Sequence, residues 1–166
     1  MRIFKEEQRF TQSWLIVLII ISVLTPTGII LNEYTKENST MSQTEFVLII
    51  GILVICIAPI FFFKLITRID EGGIHYRFFP IHRNTKTIKW SEIKSIRLRK
   101  YDAISEYGGW GVKGFFGQRG KAFNVKGNIG IQLEFDNSKS FLIGTQKKEE
   151  VKRILETYRH KVASEA

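Results

Sequence analysis

Six consecutive residues, Gly109-Trp110-Gly111-Val112-Lys113-Gly114, have the spacing G-x-G-x-x-G, and Glu134 lies twenty residues beyond the last of them. Such a spacing cradles a dinucleotide pyrophosphate when it joins a strand to a helix N-terminus, with the acid on the ribose. The residues that follow, FFGQRGKAFNVKG, have no helical period and carry Gly117 and Gly120. That context points instead to a bulged or tightly turned loop, where glycines supply positive φ and close backbone approach. Trp110, Phe115 and Phe116 have two fates there: packing in the core, or exposure at a rim as membrane-interface or partner contacts.

Basic residues form three sets. Arg97, Arg99 and Lys100 lie on one expected strand. Lys113, Arg119, Lys121 and Lys126 surround the Gly-rich stretch. Lys147, Lys148, Lys152, Arg153, Arg159 and Lys161 lie toward the C-terminus, mixed with Glu149, Glu150 and Glu156, and read as a solvated, internally paired helix face. An anionic leaflet attracts a basic side chain near it by up to about 1 kcal/mol, within a Debye length of about 8 Å. The second set, with Trp110, Phe115 and Phe116, is the candidate lipid or partner contact.

Chemistry beyond charge is sparse. The chain has no G-x-S-x-G and no H-E-x-x-H, and its one cysteine, Cys56, sits in an apolar run. His75, His82 and His160 lack ligand spacing, whereas a structural zinc needs four ligands and a catalytic one three. No catalytic, cofactor-binding or metal-binding residue is assigned, no cofactor is expected, and the expectation is a non-enzyme.

The elements that must position these residues begin with two apolar runs. Phe46–Phe63 contains no charge; as a helix it covers roughly 27 Å, near the ~30 Å hydrocarbon core of a bilayer. Trp14–Leu31 is the other, interrupted at Thr25-Pro26-Thr27-Gly28, where a kink is expected. A secretory signal peptide is the rival reading of this first run, though no A-x-A-like site follows it. Spans at about 14–31 and 46–63 make an antiparallel hairpin, which Gly51 and Ala58 would let pack closely. Lys/Arg crowd its two ends and leave the loop with a single lysine, so both termini are expected in the cytoplasm. Residues 1–67 form this membrane part. Residues 68–166 hold twenty Lys/Arg against eleven Asp/Glu, and so carry the whole net charge of +9.

Period-two alternation then sets in. Strands are expected at Ile74–Phe78, Lys86–Trp90 and Ile93–Tyr101, then in KAFNVKG, IGIQLEF and KSFLIGT. Val151, Ile154, Leu155 and Tyr158 fall at i, i+3, i+4 and i+7 of a terminal amphipathic helix with Thr145 as its N-cap.

The segments FKEEQRFTQSW, RIDEGGIHYRFFP, IKWSEIKSIRLRKY, EYGGWGVKG, KAFNVKGNIGIQLEF and LIGTQKKEEV resemble those of small uncharacterised bacterial two-span membrane proteins with a C-terminal pleckstrin-homology-like (PH-like) domain. Ile88-x-Trp90-x-x-Ile93 and the entry LIGTQ into the last helix carry most of the likeness. The resemblance implies a membrane α-helical hairpin plus a mainly-β, PH-like barrel closed by one C-terminal amphipathic helix, at a cell membrane. It implies no activity. The eukaryotic phosphoinositide pattern, K-x-n-(K/R)-x-R around the first hairpin, is not matched. The expected function is a non-enzymatic, membrane-tethered binding or scaffolding module with a protein partner. The alternatives are an anionic-headgroup sensor and, on charge alone, nucleic-acid binding, for which no motif speaks.

Overall fold

A computed structural model describes residues 2–36, 39–114 and 120–162. The chain divides into two compact units, Phe10–Phe62 and a second one made of Met1–Arg9 together with Phe63–Ala166.

The first unit is helical. Helix α1 covers Ser13–Tyr34 and α2 covers Gln43–Ile57, extended by a 3-10 turn at Ala58–Phe62. Both are long and apolar enough to cross a membrane. At the start of α2, Ser42 Oγ accepts from the Glu45 N–H (3.2 Å) while Glu45 Oε2 accepts from the Ser42 N–H (2.8 Å). This reciprocal cap satisfies two donors that a helix start leaves open. The Tyr34 and Phe46 rings stack at 4.7 Å beside the connecting loop. Helix α1 runs through Pro26. Close packing through small residues is not found: a Cβ on Gly51 would meet nothing within 4 Å, and Ala58 has left the α-helix for the 3-10 turn.

The second unit holds nine strands among the described residues. β1 (Phe4–Arg9), β2 (Lys64–Asp70), β3 (Gly73–Phe79) and β4 (Lys86–Lys89) form one antiparallel sheet in sequence order. β5 (Ser95–Lys100), β6 (Gly111–Lys113), β7 (Lys121–Asn124), β8 (Ile129–Glu134) and β9 (Ser140–Gly144) form a second, ordered β5-β8-β9-β7-β6. A short helix α3 spans Ala103–Tyr107, and helix α4 spans Lys148–Tyr158.

Three expectations change here. First, the N-terminal segment is a strand of the β unit rather than a piece of the 1–67 membrane part, so that unit extends beyond 68–166. Phe4, Glu6 and Gln8 alternate inward, and β1 pairs with β2 from Phe4↔Ile69 to Arg9↔Lys64. The period of two was present, but Glu6 and Gln8 on the inner face hid it. Second, the described strands make two separate sheets, not one closed barrel, and β7 runs parallel to β9. The chain from β5 to β7 passes through α3, which delivers the β6–β7 hairpin to the far side of β9. Third, Thr145 does not cap α4, which starts after Lys147.

The core joins both sheets to α4. Leu65, Ile69, Ile74, Phe78, Ile131, Leu133, Leu142 and Ile143 are fully buried, and Val151, Ile154, Leu155 and Tyr158 line the buried face of the helix as its spacing predicts. Trp90 Nε1 donates to the Asp70 carbonyl (3.0 Å), and its ring lies 5.5 Å from that of Tyr158. The buried polar residues of β1 clasp the other end of the chain. Glu6 accepts from the Thr145 hydroxyl (2.6 Å) and the Gln146 N–H (2.8 Å), and Gln8 Nε2 donates to the Gly144 carbonyl (2.7 Å). The Tyr158 hydroxyl donates to the Arg2 carbonyl (2.6 Å). Buried polar atoms left without such partners would cost about 1–3 kcal/mol each.

Candidate functional site

The Gly-rich stretch does not join a strand to a helix. Gly111–Lys113 is itself strand β6, and Gly109, Gly111 and Gly114 all have positive φ. A Cβ on Gly114 would collide with the Gly120 carbonyl, so this backbone approach requires glycine. β6 pairs antiparallel with β7, and among the described residues no helix start follows these glycines to receive a pyrophosphate.

Of the residues expected to meet lipid or a partner, Phe115, Phe116 and Arg119 lie outside the described residues. Trp110 is half-buried against the Tyr101, Ala103, Ala122 and Leu142 cluster, and its Nε1 donates to the Gly127 carbonyl (3.3 Å). Lys113 pairs in register with Ala122, which puts Lys113 and Lys121 on opposite faces of the sheet because successive residues alternate. Lys121 is exposed and borders a cleft of about 520 Å³ that also touches Tyr76, Ser140 and Phe141. Lys126 is half-buried in the turn after β7. Lys113 and Lys121, at least, do not share one face of the sheet.

The other two basic sets are tied to acids in part. Arg97 meets Glu134 at 2.9 Å and Arg99 meets Glu106 at 2.7 Å, with Arg99 also donating to the Tyr107 hydroxyl (3.1 Å). Lys147 pairs with Glu150 (3.3 Å), and Lys161 with Glu71 (3.1 Å). The expected pairing along the terminal helix is therefore only partial: Lys148 comes within 3.9 Å of Glu149, and the partner of Lys161 lies outside the helix.

A fourth basic group, missed in the sequence, gathers on the outward face of the first sheet. Register aligns Lys5, Arg68 and His75 across β1, β2 and β3, and in the next row Glu7, Ile66 and Arg77. With Lys64, Asp70 and Thr85 they line a cleft of about 550 Å³. Assigning residues 1–67 to the membrane part conceals this group. Alternation in FKEEQR and KLITRID, taken as two paired strands, would have revealed it.

Asp70 is the acid on which this face turns. Burial alone would raise its pKa. The hydrogen bond from His75 Nε2 (3.0 Å), the Gly72 N–H (2.9 Å) and the charges of His75 and Arg68 outweigh burial and hold the carboxyl below its ordinary range. A depressed folded-state pKa stabilises above the unfolded-state value, about 3.9, and the contribution is lost as pH falls through the folded value. Urea unfolding of wild type should therefore show a stability loss across this acid window that Asp70→Asn lacks. Parallel pH curves for the two proteins would contradict the assignment.

Two helices of spanning length and a basic two-sheet unit define the class of protein. No protein-family model and no curated protein sequence matches the chain.

Proposed function

We propose that the chain is a two-span protein of a bacterial cell membrane whose β unit is a cytoplasmic, PH-like, non-enzymatic binding or scaffolding module. One observation carries the reading: β1 precedes α1, β2 follows α2, and the two pair over six residues. A chain that crosses a bilayer twice between them returns to its starting side, which is the parity that pairing requires. Arg2, Lys5 and Arg9 before α1, and Lys64 and Arg68 after α2, make the cytoplasm that side by the positive-inside rule.

The PH-like reading rests on two sheets with a C-terminal amphipathic helix packed by its apolar face, and the parallel β7–β9 pair is its departure from an all-antiparallel barrel. Several carboxylates serve structure, which supports binding over catalysis. Asp102 caps α3 by accepting from the Ile104 and Ser105 N–H groups, and Glu6 holds the β9–α4 junction. Among the described residues, β4 and β5 each pair on one side only. A partner strand can add to such an edge, which favours protein contact as the task.

A reporter fused after Ala166 should report cytoplasm, and one placed in the loop between α1 and α2 should report the exterior. A C-terminus found outside would overturn the reading.

A further inference from the structure

We propose that the outward face of the first sheet binds a phosphate-bearing anion, held by Arg77, Lys5 and Lys64 with Arg68 and His75 at its rim. The observations are independent of the loop set. Lys5 stands directly opposite Arg68 in the β1–β2 register. Like charges placed so are destabilising unless something neutralises them. Asp70 pairs with Arg68 (2.8 Å) and His75 (3.0 Å), whereas Lys5 has no ion pair among the described residues. Glu7 is shared between Arg9 at 2.7 Å and Lys64 at 3.6 Å. In the middle strand's other neighbour, Arg77 Nε is buried without a hydrogen-bond partner. That is an N–H whose desolvation is uncompensated in a half-buried guanidinium, on the cleft that Lys5, Lys64 and Arg68 share.

The ligand chemistry follows from the donor set. A guanidinium fork takes two oxygens of a planar or tetrahedral oxyanion, and ammonium groups add charge without direction. Two acids already line the face, so a monovalent carboxylate would gain little. A phosphate offers more charge and a third oxygen for the lysines. Two sources supply that group: a soluble phosphate compound, or the headgroup of an acidic lipid. The lipid source rests on the membrane reading above, although the phosphate site does not. Lys64 is two residues from the end of the 3-10 turn at Phe62, so chain length alone keeps it within about 7 Å of that turn.

The test is equilibrium binding to the full chain in neutral detergent micelles, with radiolabelled phosphatidic acid in one arm and inorganic phosphate in the other. Saturable binding is expected that falls roughly tenfold in Arg77→Gln and in Lys5→Gln, the loss of one charge-assisted contact. Arg77→Lys, which keeps the charge and loses the fork, should fall between. Lys147→Gln with Lys148→Gln should match wild type. Phosphatidic acid binding displaced by inorganic phosphate identifies a lipid headgroup. Inorganic phosphate binding that phosphatidic acid does not displace identifies a soluble ligand. No saturable binding in either arm overturns the proposal, as does equal loss from the Lys147/Lys148 change. If Arg77→Gln does not melt cooperatively, Lys5→Gln on the edge strand carries the comparison. Because micelles impose no sidedness, an exterior C-terminus would refute the topology and leave this result standing.

Discussion

A chain in which Phe10–Phe63 is replaced by Asn-Gly is expected to fold as a soluble domain, and Arg68–Ala166 alone is not. Arg9 and Lys64 face each other at the end of the β1–β2 ladder, so a two-residue turn of the Asn-Gly type closes them as an ordinary antiparallel hairpin. The shorter fragment loses β1 and the first four residues of β2. With them go the buried side chains of Phe4 and Leu65, each worth about 1.5–3 kcal/mol. The Glu6 and Gln8 bonds to Gly144, Thr145 and Gln146 go too, leaving those partners without them. Against a total stability of about 5–15 kcal/mol for a domain of this size, the sum is enough to unfold it. Circular dichroism and a cooperative melt of the two soluble proteins decide the matter. A cooperatively folded Arg68–Ala166 would show that β1 is dispensable.

Leu155→Asp should unfold the β unit just as thoroughly. Leu155 lies with Val151, Ile154 and Tyr158 on the buried face of α4. An unpaired carboxylate there either stays buried at a cost of several kcal/mol or expels the helix, and expulsion uncovers the whole stripe together with Trp90. Lys152 is exposed one residue past Val151, and Lys152→Asp should shift the melting temperature by a few degrees at most. Similar effects from both substitutions would mean that α4 does not dock as described.

What the sequence made legible follows the strength of its periods. The α4 stripe came from a repeat that burial imposes, and the two apolar runs from their length and composition. What stayed hidden has a physical cause in each case. β1 is short and carries Glu6 and Gln8 on its inner face, where a hydrophobic residue would announce a strand; their partners lie more than 130 residues away, at Gly144–Gln146. The parallel β7–β9 pair depends on long-range order that no local pattern encodes. Thr145 was a plausible cap by type, but its hydroxyl donates to Glu6 instead and accepts from the Lys147 N–H at 3.1 Å. The basic face of the first sheet was unreadable for the same reason as β1: Lys5 joins Arg68 and Arg77 only once β1 is placed beside β2. The loop set looked concentrated in the sequence because its members are near neighbours there. The pleat separates Lys113 from Lys121.

Cross-linking between the two sides of the helical hairpin tests the central claim most directly. Cysteines at Glu7 and Ile66, which face each other in register, are introduced into a Cys56→Ser chain with a protease site in the loop between α1 and α2. Directly opposed Cβ atoms lie about 4.5–5.5 Å apart, within reach of a short bis-thiol reagent. In native membranes the cleaved chain should run as one band after the reagent and as two without it. A control with cysteines at Glu7 and Arg97, on different sheets, should run as two in both. Two bands from the Glu7/Ile66 chain, with both thiols shown to be reactive, would contradict a domain built from strands on either side of α1 and α2.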